Sequence, residues 1–440
     1  FDTVILGSNP SAPANKMEKL SKKINFYQKI KRILFPFYKS KDVKILFSIL
    51  EKGKPKDTQV AMFVGGCVRK FLYNEVIDDI DIATIFSPEE IKEKFKDTNF
   101  KIIDTGIDHG SISAVINSNK FEITTLRQDI KTDGRHAEIS FTHSWMQDSE
   151  RRDFTINAIY MDIRGKIYDP QNGREDLKNN EINFIGDPFT RIEEDYLRII
   201  RYIRFCLQYN VKHSNPKAII EIKLNLNGIK NLSKERILSE LYKIFNLKKI
   251  NNFLDNKEIK NIFLLIFPEF KYLERLKKYN FLQNPELIFS ILLVDEKDNY
   301  EYFCHKYKVS NKLKKSLDFI SSNYIKFKKE KNFFKKDLKK NIYNHGKENM
   351  KLLIKFIYCA EFKFTSKLLD NLLYQINKIE VPSFPFNGEY LKKQGLTEGK
   401  EIGFFLKELE KEWFDKDFNL KSEEAISIIN KLKKSTVLNF

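Results

Sequence analysis

The sequence predicts an α+β protein, in which a mixed-sheet head domain is followed by segments that are helical throughout. Residues 62–84, MFVGGCVRKFLYNEVIDDIDIAT, indicate a strand, a glycine turn, a helix and a second strand. From residue 215 onward apolar residues recur at helical spacing among many lysines. We therefore divide the chain into an N-terminal extension with a helix (1–59), a head (60–165), a neck (166–250), a helical body (251–380) and a helical tail (381–440).

The composition favours a polyanionic partner and a reducing compartment. The chain has 440 residues, too many for one compact core, and a formal net charge of +18. Surface lysine and arginine release counterions from phosphates when they bind nucleic acid. The four cysteines are scattered without a C-x-x-C pair, which predicts reduced thiols in a cytoplasmic protein. No apolar run predicts a membrane span, and we expect Met17 to be the natural start, with 1–16 as upstream sequence.

The elements of the head are predicted from local patterns. We expect strands at 61–64, 80–85, 99–103, 112–117 and 121–126, and helices at 67–73 and 88–96. The second of these helices has a clear start, because Ser87 precedes Pro88 and Glu90 follows three residues after the serine. A further helix within 42–53 should end at Gly53 and pack beside the head.

Two carboxylates in the second strand suggest a metal site. Asp79 and Asp81 stand two residues apart, so in a strand they point to the same face. The pair Gly65–Gly66, followed by Arg69, lies shortly before them. Mg²⁺ prefers a few carboxylates together with phosphate oxygens and water. This arrangement can hold a divalent cation against a triphosphate, and we predict Mg²⁺ there.

The order of the motifs resembles that of a known family. GGCVR, DIDIAT and RRDFTINA, the last at 151–158, are similar to motifs of the class II tRNA nucleotidyltransferases (CCA-adding enzymes) and their bacterial poly(A) polymerase relatives. The likeness extends over 60–245 and again over 387–418. It implies a nucleotidyltransferase head of the DNA polymerase beta type. It also implies template-independent addition of CCA to tRNA 3′ ends from CTP and ATP, with release of pyrophosphate.

The resemblance also implies residue roles. Asp79 and Asp81 would hold Mg²⁺, and Glu122, on a strand beside them, would be a third catalytic carboxylate. Guanidinium groups offer planar donors to phosphate, and Asp153 is an acceptor for a ribose hydroxyl, with Asn157 on the same helical face. The implied nucleotide-binding residues of the head are Gly65, Gly66, Arg69, Arg152, Asp153 and Asn157. Lys70 and Asn74 depart from the family pattern, which usually has Asp and Gly there.

A long helix is predicted to begin in RIEEDYLRIIRYIRF, residues 191–205, with Asp195, Arg198 and Arg201 near one another. The segment resembles the family's E-D-x-x-R motif, which reads the incoming base. A carboxylate beside a guanidinium complements the amino donor and ring-nitrogen acceptor of cytosine and adenine, but mismatches guanine and uracil. We therefore expect Asp195 and Arg198 to select CTP and ATP, and Arg201 and Arg204 to reach the triphosphate or the tRNA.

Alternatives remain open from the sequence alone. A poly(A) polymerase would use the same chemistry, but we do not find the basic G-R-R-F-R segment that such enzymes usually carry. An enzyme that adds only C or only A is a second alternative. A non-catalytic RNA-binding protein is a third alternative. The loss of Asp79 or Asp81 would favour it, but both carboxylates are present. We expect His109 to have a structural role in a turn. In the tail, we expect a turn between helices at Gly395, Gly399 and Gly403, and we expect this turn to contact tRNA.

Overall fold

The structure is a computed structural model, and it describes residues 36–56, 58–106, 110–133, 136–330, 332–336, 338–396 and 399–437. Met17 and His109 lie outside these ranges, so their predicted roles stay predictions. The chain divides into two compact units, Phe1–Leu317 and Asp318–Phe440. This division falls within the predicted body, and the five-part division also stays a prediction.

A seven-stranded mixed sheet forms the head, in the order β3-β4-β5-β2-β1-β8-β9. Its parallel pair is β2 with β5, whereas the other neighbours are antiparallel. Strands β6 and β7 form a separate ribbon. The predicted strands are confirmed to within about two residues at most ends, but β6 to β9 were not predicted. The strands are β1 (Ala61–Val64), β2 (Ile80–Thr84), β3 (Lys101–Gly106), β4 (Ser111–Ile116), β5 (Asn119–Thr125), β6 (Arg127–Asp133), β7 (His136–Phe141), β8 (Tyr160–Met161) and β9 (Ile167–Tyr168).

Four helices flank the strands of the head: α1 (Lys41–Leu50), α2 (Gly66–Leu72), α3 (Pro88–Phe95) and α4 (Trp145–Glu150). α3 begins as predicted, because Ser87 Oγ accepts from the N–H of Glu90 and the Glu90 carboxylate accepts from the N–H of Ser87. The apolar face of α1 buries Val43 and Phe47 in the same core as β1 and β2. This core therefore fixes β2, the strand that carries Asp81.

The rest of the first unit is helical. The predicted continuous helix over 191–205 is wrong, because the chain is extended at Asp195 (φ −158°, ψ 104°). The Asp195 carboxylate then accepts from the N–H of Leu197 at 3.1 Å, and a new helix begins. The helices are α5 (Gly173–Asn179), α6 (Pro188–Glu194), α7 (Leu197–Gln208), α8 (Pro216–Leu224), α9 (Lys234–Phe245), α10 (Asn252–Asp255), α11 (Lys257–Ile266), α12 (Pro285–Leu293) and α13 (Asn299–Tyr307), and α14 (Asn311–Lys329) crosses into the second unit.

The second unit packs its helices around an aromatic core that includes Trp413. Gly395 adopts φ 83° between two helices, as expected of a turn. Gly399 and Gly403 lie inside the second of these helices, so the prediction that all three glycines pace the turn is wrong. None of the helices in the described ranges is long and apolar enough to span a bilayer. The helices are α15 (Phe333–Lys336), α16 (Leu338–His345), α17 (Lys347–Ala360), α18 (Ser366–Lys378), α19 (Gly388–Lys393), α20 (Gly399–Asp415) and α21 (Ser422–Val437).

Candidate active site

The turn after β1 requires glycine and brings the chain close to charged side chains. Gly65 has φ 69° and ψ −123°, a conformation that residues with a Cβ strongly disfavour. A Cβ at Gly65 would lie 3.8 Å from Nη1 of Arg152 and 3.9 Å from Oδ2 of Asp81. A Cβ at Gly66 would lie 3.7 Å from the same carboxylate oxygen. The backbone of the turn therefore lies beside both an acidic and a basic group.

Three carboxylates lie on or next to the paired strands β2 and β5, and Asp81 is the one beside this turn. Asp81 on β2 is directly opposite Glu122 on the parallel strand β5, as the sequence predicted for a neighbouring strand. Asp79 precedes β2 and is exposed. Burial raises the pKa of Asp81, and the negative charges of Glu122 and Asp79 raise it further. A cation bound beside Asp81 would offset the repulsion from Glu122 and Asp79.

A buried carboxylate that the sequence analysis did not single out holds the paired arginines. Asp148 of α4 has a side chain only 1% exposed, and it lies 2.8 Å from a guanidinium nitrogen of both Arg151 and Arg152. The hydroxyl of Tyr160 donates to it at 2.7 Å. Burial alone would raise the pKa of Asp148, but Arg152 and Arg151 outweigh burial and hold it well below its usual range. Its spacing of three and four residues before the arginines was the available sequence signal.

Asp153 is buried and keeps one oxygen without a hydrogen bond. Its Oδ1 accepts from Asn157 Nδ2 at 2.8 Å and from the N–H of Phe154 at 2.9 Å. Nη2 of Arg201 lies 2.8 Å from Oδ2, but it makes an ion pair without hydrogen-bond geometry. Asn157 ends a 3-10 helix, Thr155–Asn157, so the predicted shared α-helical face is wrong although the two side chains do meet.

Arg69 lies beneath the turn rather than open to solvent. Its side chain is buried, with Nε donating to the hydroxyl of Tyr209 at 2.8 Å and Nη1 donating to Oδ1 of Asn157. The Cζ of Arg69 lies 4.7 Å from the centre of the Phe205 ring. These contacts fix the start of α2 against the neck, and a phosphate contact by Arg69 stays a prediction.

One face of α7 follows the head along the whole length of the helix. Arg198, Arg201, Phe205 and Tyr209 are spaced by three, four and four residues, which places them on one side of a helix. The contacts with the head include those of Arg198 Nη2 with the Arg151 carbonyl at 3.4 Å, of Arg201 with Asp153, and of Phe205 and Tyr209 with Arg69. The neck therefore contacts both α2, which follows the glycine turn, and the RRD segment.

The expected base-reading residues have separate partners. Asp195 Oδ2 lies 2.7 Å from Nη2 of Arg236 on α9, and Nη1 of Arg198 lies 2.5 Å from Oε2 of Glu194. The prediction that Asp195 and Arg198 pair on one helix is corrected, because the chain breaks between them. Sequence reasoning missed Arg236 and Glu194.

The partner of Arg204 was also missed. Its Nε donates to Glu240 of α9 at 2.7 Å, and its Cζ lies 4.1 Å from the centre of the Phe205 ring. Arg236 and Glu240 stand four residues apart on α9, a spacing that signals one shared face. Because Glu240 is buried and already engages Arg204, contact of Arg204 with a triphosphate stays a prediction.

Comparisons with known proteins address the family. Residues 61–183 match the model of the Poly A polymerase head domain. The chain is 33% identical over 384 residues to CCA tRNA nucleotidyltransferase 1, mitochondrial, of Danio rerio, covering 83% of this chain and 86% of that protein. It is 33% identical to the CCA-adding enzyme of Staphylococcus saprophyticus, covering 70% and 76% of the two chains.

A solved structure supports the fold. The crystal structure of the Bacillus stearothermophilus CCA-adding enzyme in complex with CTP matches 91% of this chain and 100% of that chain, with a TM-score of 0.71 and 22% identity. The α+β architecture with a mixed-sheet head is thereby confirmed. The identity to the zebrafish protein, sustained over most of both sequences, shows that this chain belongs to the CCA tRNA nucleotidyltransferase family.

Proposed function

We propose that this protein adds C, C and A to the 3′ ends of tRNA, using CTP and ATP without a nucleic-acid template and releasing pyrophosphate. One arrangement carries the proposal. Asp81 and Arg152 lie beside a glycine turn, with Asp79 two residues before Asp81, and Arg69, in the helix that follows the turn, donates to Tyr209 at the end of the neck helix α7. Relatives named as CCA-adding enzymes favour this activity over polyadenylation.

Asp79 and Asp81 would hold Mg²⁺. The raised pKa of Asp81 beside Glu122 and Asp79 fits a site that binds a cation. In the described ranges no group of three or more His, Cys, Asp or Glu side chains is arranged to hold a metal ion. The remaining ligands of Mg²⁺ at Asp79 and Asp81 would be phosphate oxygens and water. Bound Mg²⁺ would supply activation of the tRNA 3′-hydroxyl and charge neutralisation at the triphosphate.

The residues around the turn would bind the triphosphate. Nη1 of Arg152 lies beside Gly65 and donates to the Asn157 carbonyl at 3.4 Å, while Asp148 accepts from Nε and Nη2. A planar guanidinium fixed in this way provides donors for phosphate oxygens without losing side-chain entropy on binding. Gly65 and Gly66 leave the space in which a phosphate approaches the backbone.

Asp153 would accept a hydrogen bond from the ribose. Its Oδ2 is buried and forms the ion pair with Arg201 at 2.8 Å, but it makes no hydrogen bond and can still accept one. A ribose hydroxyl is a donor of suitable chemistry. Arg201, whose Nε also lacks an acceptor, is placed beside it to contact the nucleotide.

The base would be read at the junction of α6 and α7. Asp195 beside Arg236, and Glu194 beside Arg198, each present an acceptor next to donors. Cytosine and adenine both offer an amino donor beside a ring acceptor, whereas guanine and uracil offer the reverse. Each mismatched contact costs roughly 1–3 kcal/mol, so a carboxylate–guanidinium pair rejects GTP and UTP. The order C, C, A would require the growing tRNA end to reshape this site.

We place the protein in the cytoplasm, although some relatives are named as mitochondrial. All four cysteines are free and buried, which suits a reducing compartment. Burial raises the pKa of the Cys67 thiol, beneath the glycine turn, to about 12, so this thiol would be unreactive.

The test is extension of a tRNA transcript that lacks its CCA end, resolved at single nucleotides, with CTP, ATP, GTP and UTP singly and mixed. We expect two C and one A, followed by a halt, and no use of GTP or UTP. A long A ladder would assign polyadenylation instead. Addition of C alone, or of A alone to a CC end, would indicate a divided pathway. No addition with Mg²⁺ present would support a binding protein.

A further inference from the structure

The first of the two proposed metal-binding carboxylates lies where the sheet does not hold it. Strand β2 pairs with β5 from Ile80 onward and with β1 from residue 82 onward. Asp79 precedes both pairings and is exposed at the end of the connection from α2. Asp81, by contrast, is held within the ladder opposite Glu122. Another contact must therefore set the position of Asp79.

Asp78 makes this contact, and it links Asp79 to Lys70 of α2. Oδ1 of Asp78 accepts a hydrogen bond from the backbone N–H of Asp79 at 3.1 Å, and it also accepts one from Nζ of Lys70. Lys70 follows buried Arg69 in the helix that starts at the glycine turn. The lysine therefore ties the residue before Asp79 to the element that begins beside Asp81.

The ion pair between Lys70 and Asp78 neutralises one of the three carboxylates in this segment. Asp78, Asp79 and Asp81 place three carboxylates within four residues. Lys70 engages Asp78, and no lysine or arginine of the described chain makes an ion pair with Asp79. The acidic groups left for a cation are thus the two proposed to bind it.

We propose that Lys70 is a positioning residue, which through Asp78 holds Asp79 in place for the metal. The inference rests on the proposed function only in assigning the cation to Asp79 and Asp81. If Lys70 and Asp78 acted only through their charges, removing Lys70 would have the opposite effect on cation affinity from the one that we propose. Removing the positive charge of Lys70 would then strengthen cation binding, whereas removing the negative charge of Asp78 would weaken it. Loss of positioning weakens cation binding in both cases.

The test is a double-mutant cycle of K70M, D78N and K70M/D78N in the full-length protein. The probe is Mn²⁺ alone, titrated by electron paramagnetic resonance, together with kcat for C addition. D78N keeps an oxygen for the N–H of Asp79 but loses the charge that attracts Lys70. The matched control is K178M, which breaks the exposed Lys178–Glu175 pair at 3.5 Å in the same unit. Thermal unfolding of each variant checks that the fold is retained.

We expect each single variant to weaken Mn²⁺ binding and lower kcat by about three- to fivefold, with the double variant no worse than either. K178M should leave both quantities unchanged. The reversed pair K70D/D78K should not recover the loss, because a lysine at position 78 has no acceptor for the backbone N–H of Asp79; full recovery would show that the ion pair alone matters. Effects of opposite sign in K70M and D78N, or no effect in either, would overturn the proposal. The metal assignment itself is tested separately by D79N: wild-type Mn²⁺ binding there would reject the proposed site, whatever the cycle shows.

Discussion

Replacing Asp148 by asparagine tests whether one buried carboxylate organises the paired arginines. The amide keeps the shape of the side chain but removes its charge. The NH₂ group of the asparagine would also face other donors, because Arg151, Arg152 and the Tyr160 hydroxyl all donate to the Asp148 carboxylate. Breaking a buried ion pair by removing one partner costs about 3–5 kcal/mol. The arginine side chains are 15% and 16% exposed, so water relieves part of this cost and we expect about 3 kcal/mol.

The assay is urea unfolding of the wild type and D148N between pH 7 and pH 3. The folded-state pKa of Asp148 lies below its unfolded value. Its stabilisation is therefore fully present above the unfolded pKa of about 3.9, and it is lost as pH falls below that value toward the folded pKa. The difference between the two proteins should accordingly be largest near pH 7 and shrink toward pH 3. E175Q, at an exposed ion pair, should change the unfolding free energy by less than about 0.5 kcal/mol.

D148N should also affect nucleotide binding. Without Asp148, the guanidinium of Arg152 is attracted to Asp81, whose Oδ2 lies beside the same turn. We expect the KM for CTP to rise by at least about tenfold, because a misplaced guanidinium forfeits a charge-assisted contact. A D148N protein within about 1 kcal/mol of the wild type at pH 7, with unchanged KM, would refute the reasoning about this network.

Other substitutions test the remaining parts of the site. D79N and D81N should each reduce kcat by at least about a thousandfold while tRNA affinity in a gel-shift assay changes less than about threefold; normal turnover would reject the metal assignment. R236M should free Asp195, so we expect the CTP-over-UTP preference to fall by about tenfold or more, whereas an equal loss for all nucleotides would show a purely structural role. G65A should cost at least about 1–3 kcal/mol in unfolding free energy, since its φ of 69° strains any side chain; a neutral result would contradict that view of the turn.

Local patterns were enough to predict much of the head. The glycine turn, the acidic strand and the capped helix at Ser87 each depend on residues a few positions apart, and each was found near the predicted place. The prediction that Asp79 lies in the acidic strand with Asp81 is wrong, because β2 begins at Ile80. Asn74 adopts φ 60°, which explains how a position where the family usually has glycine accepts asparagine. Such features are set by backbone chemistry within one turn of the chain.

Contacts between distant residues were not predictable in this way. Arg69 meets Tyr209 across 140 residues, and Asp195 meets Arg236 across 41. A single sequence carries no signal for such pairs, because the local sequence around an arginine on a helix is the same whether its side chain faces solvent or a distant carboxylate. The break at Asp195 was hidden for a related reason: helical periodicity continues through it, while a side-chain hydrogen bond and a distant arginine fix the extended backbone.

The face that α7 presents to the head has a consequence for building chimaeric enzymes. Arg201, Phe205 and Tyr209 reach into the head at Asp153 and Arg69, so the helix is a component of the catalytic module rather than a connector. If a head from a relative were joined at residue 165, its residues would meet an α7 whose side chains fit the head of this chain and not the transplanted one. An exchangeable segment would have to extend through α9, because Arg236 and Glu240 of that helix pair with Asp195 and Arg204.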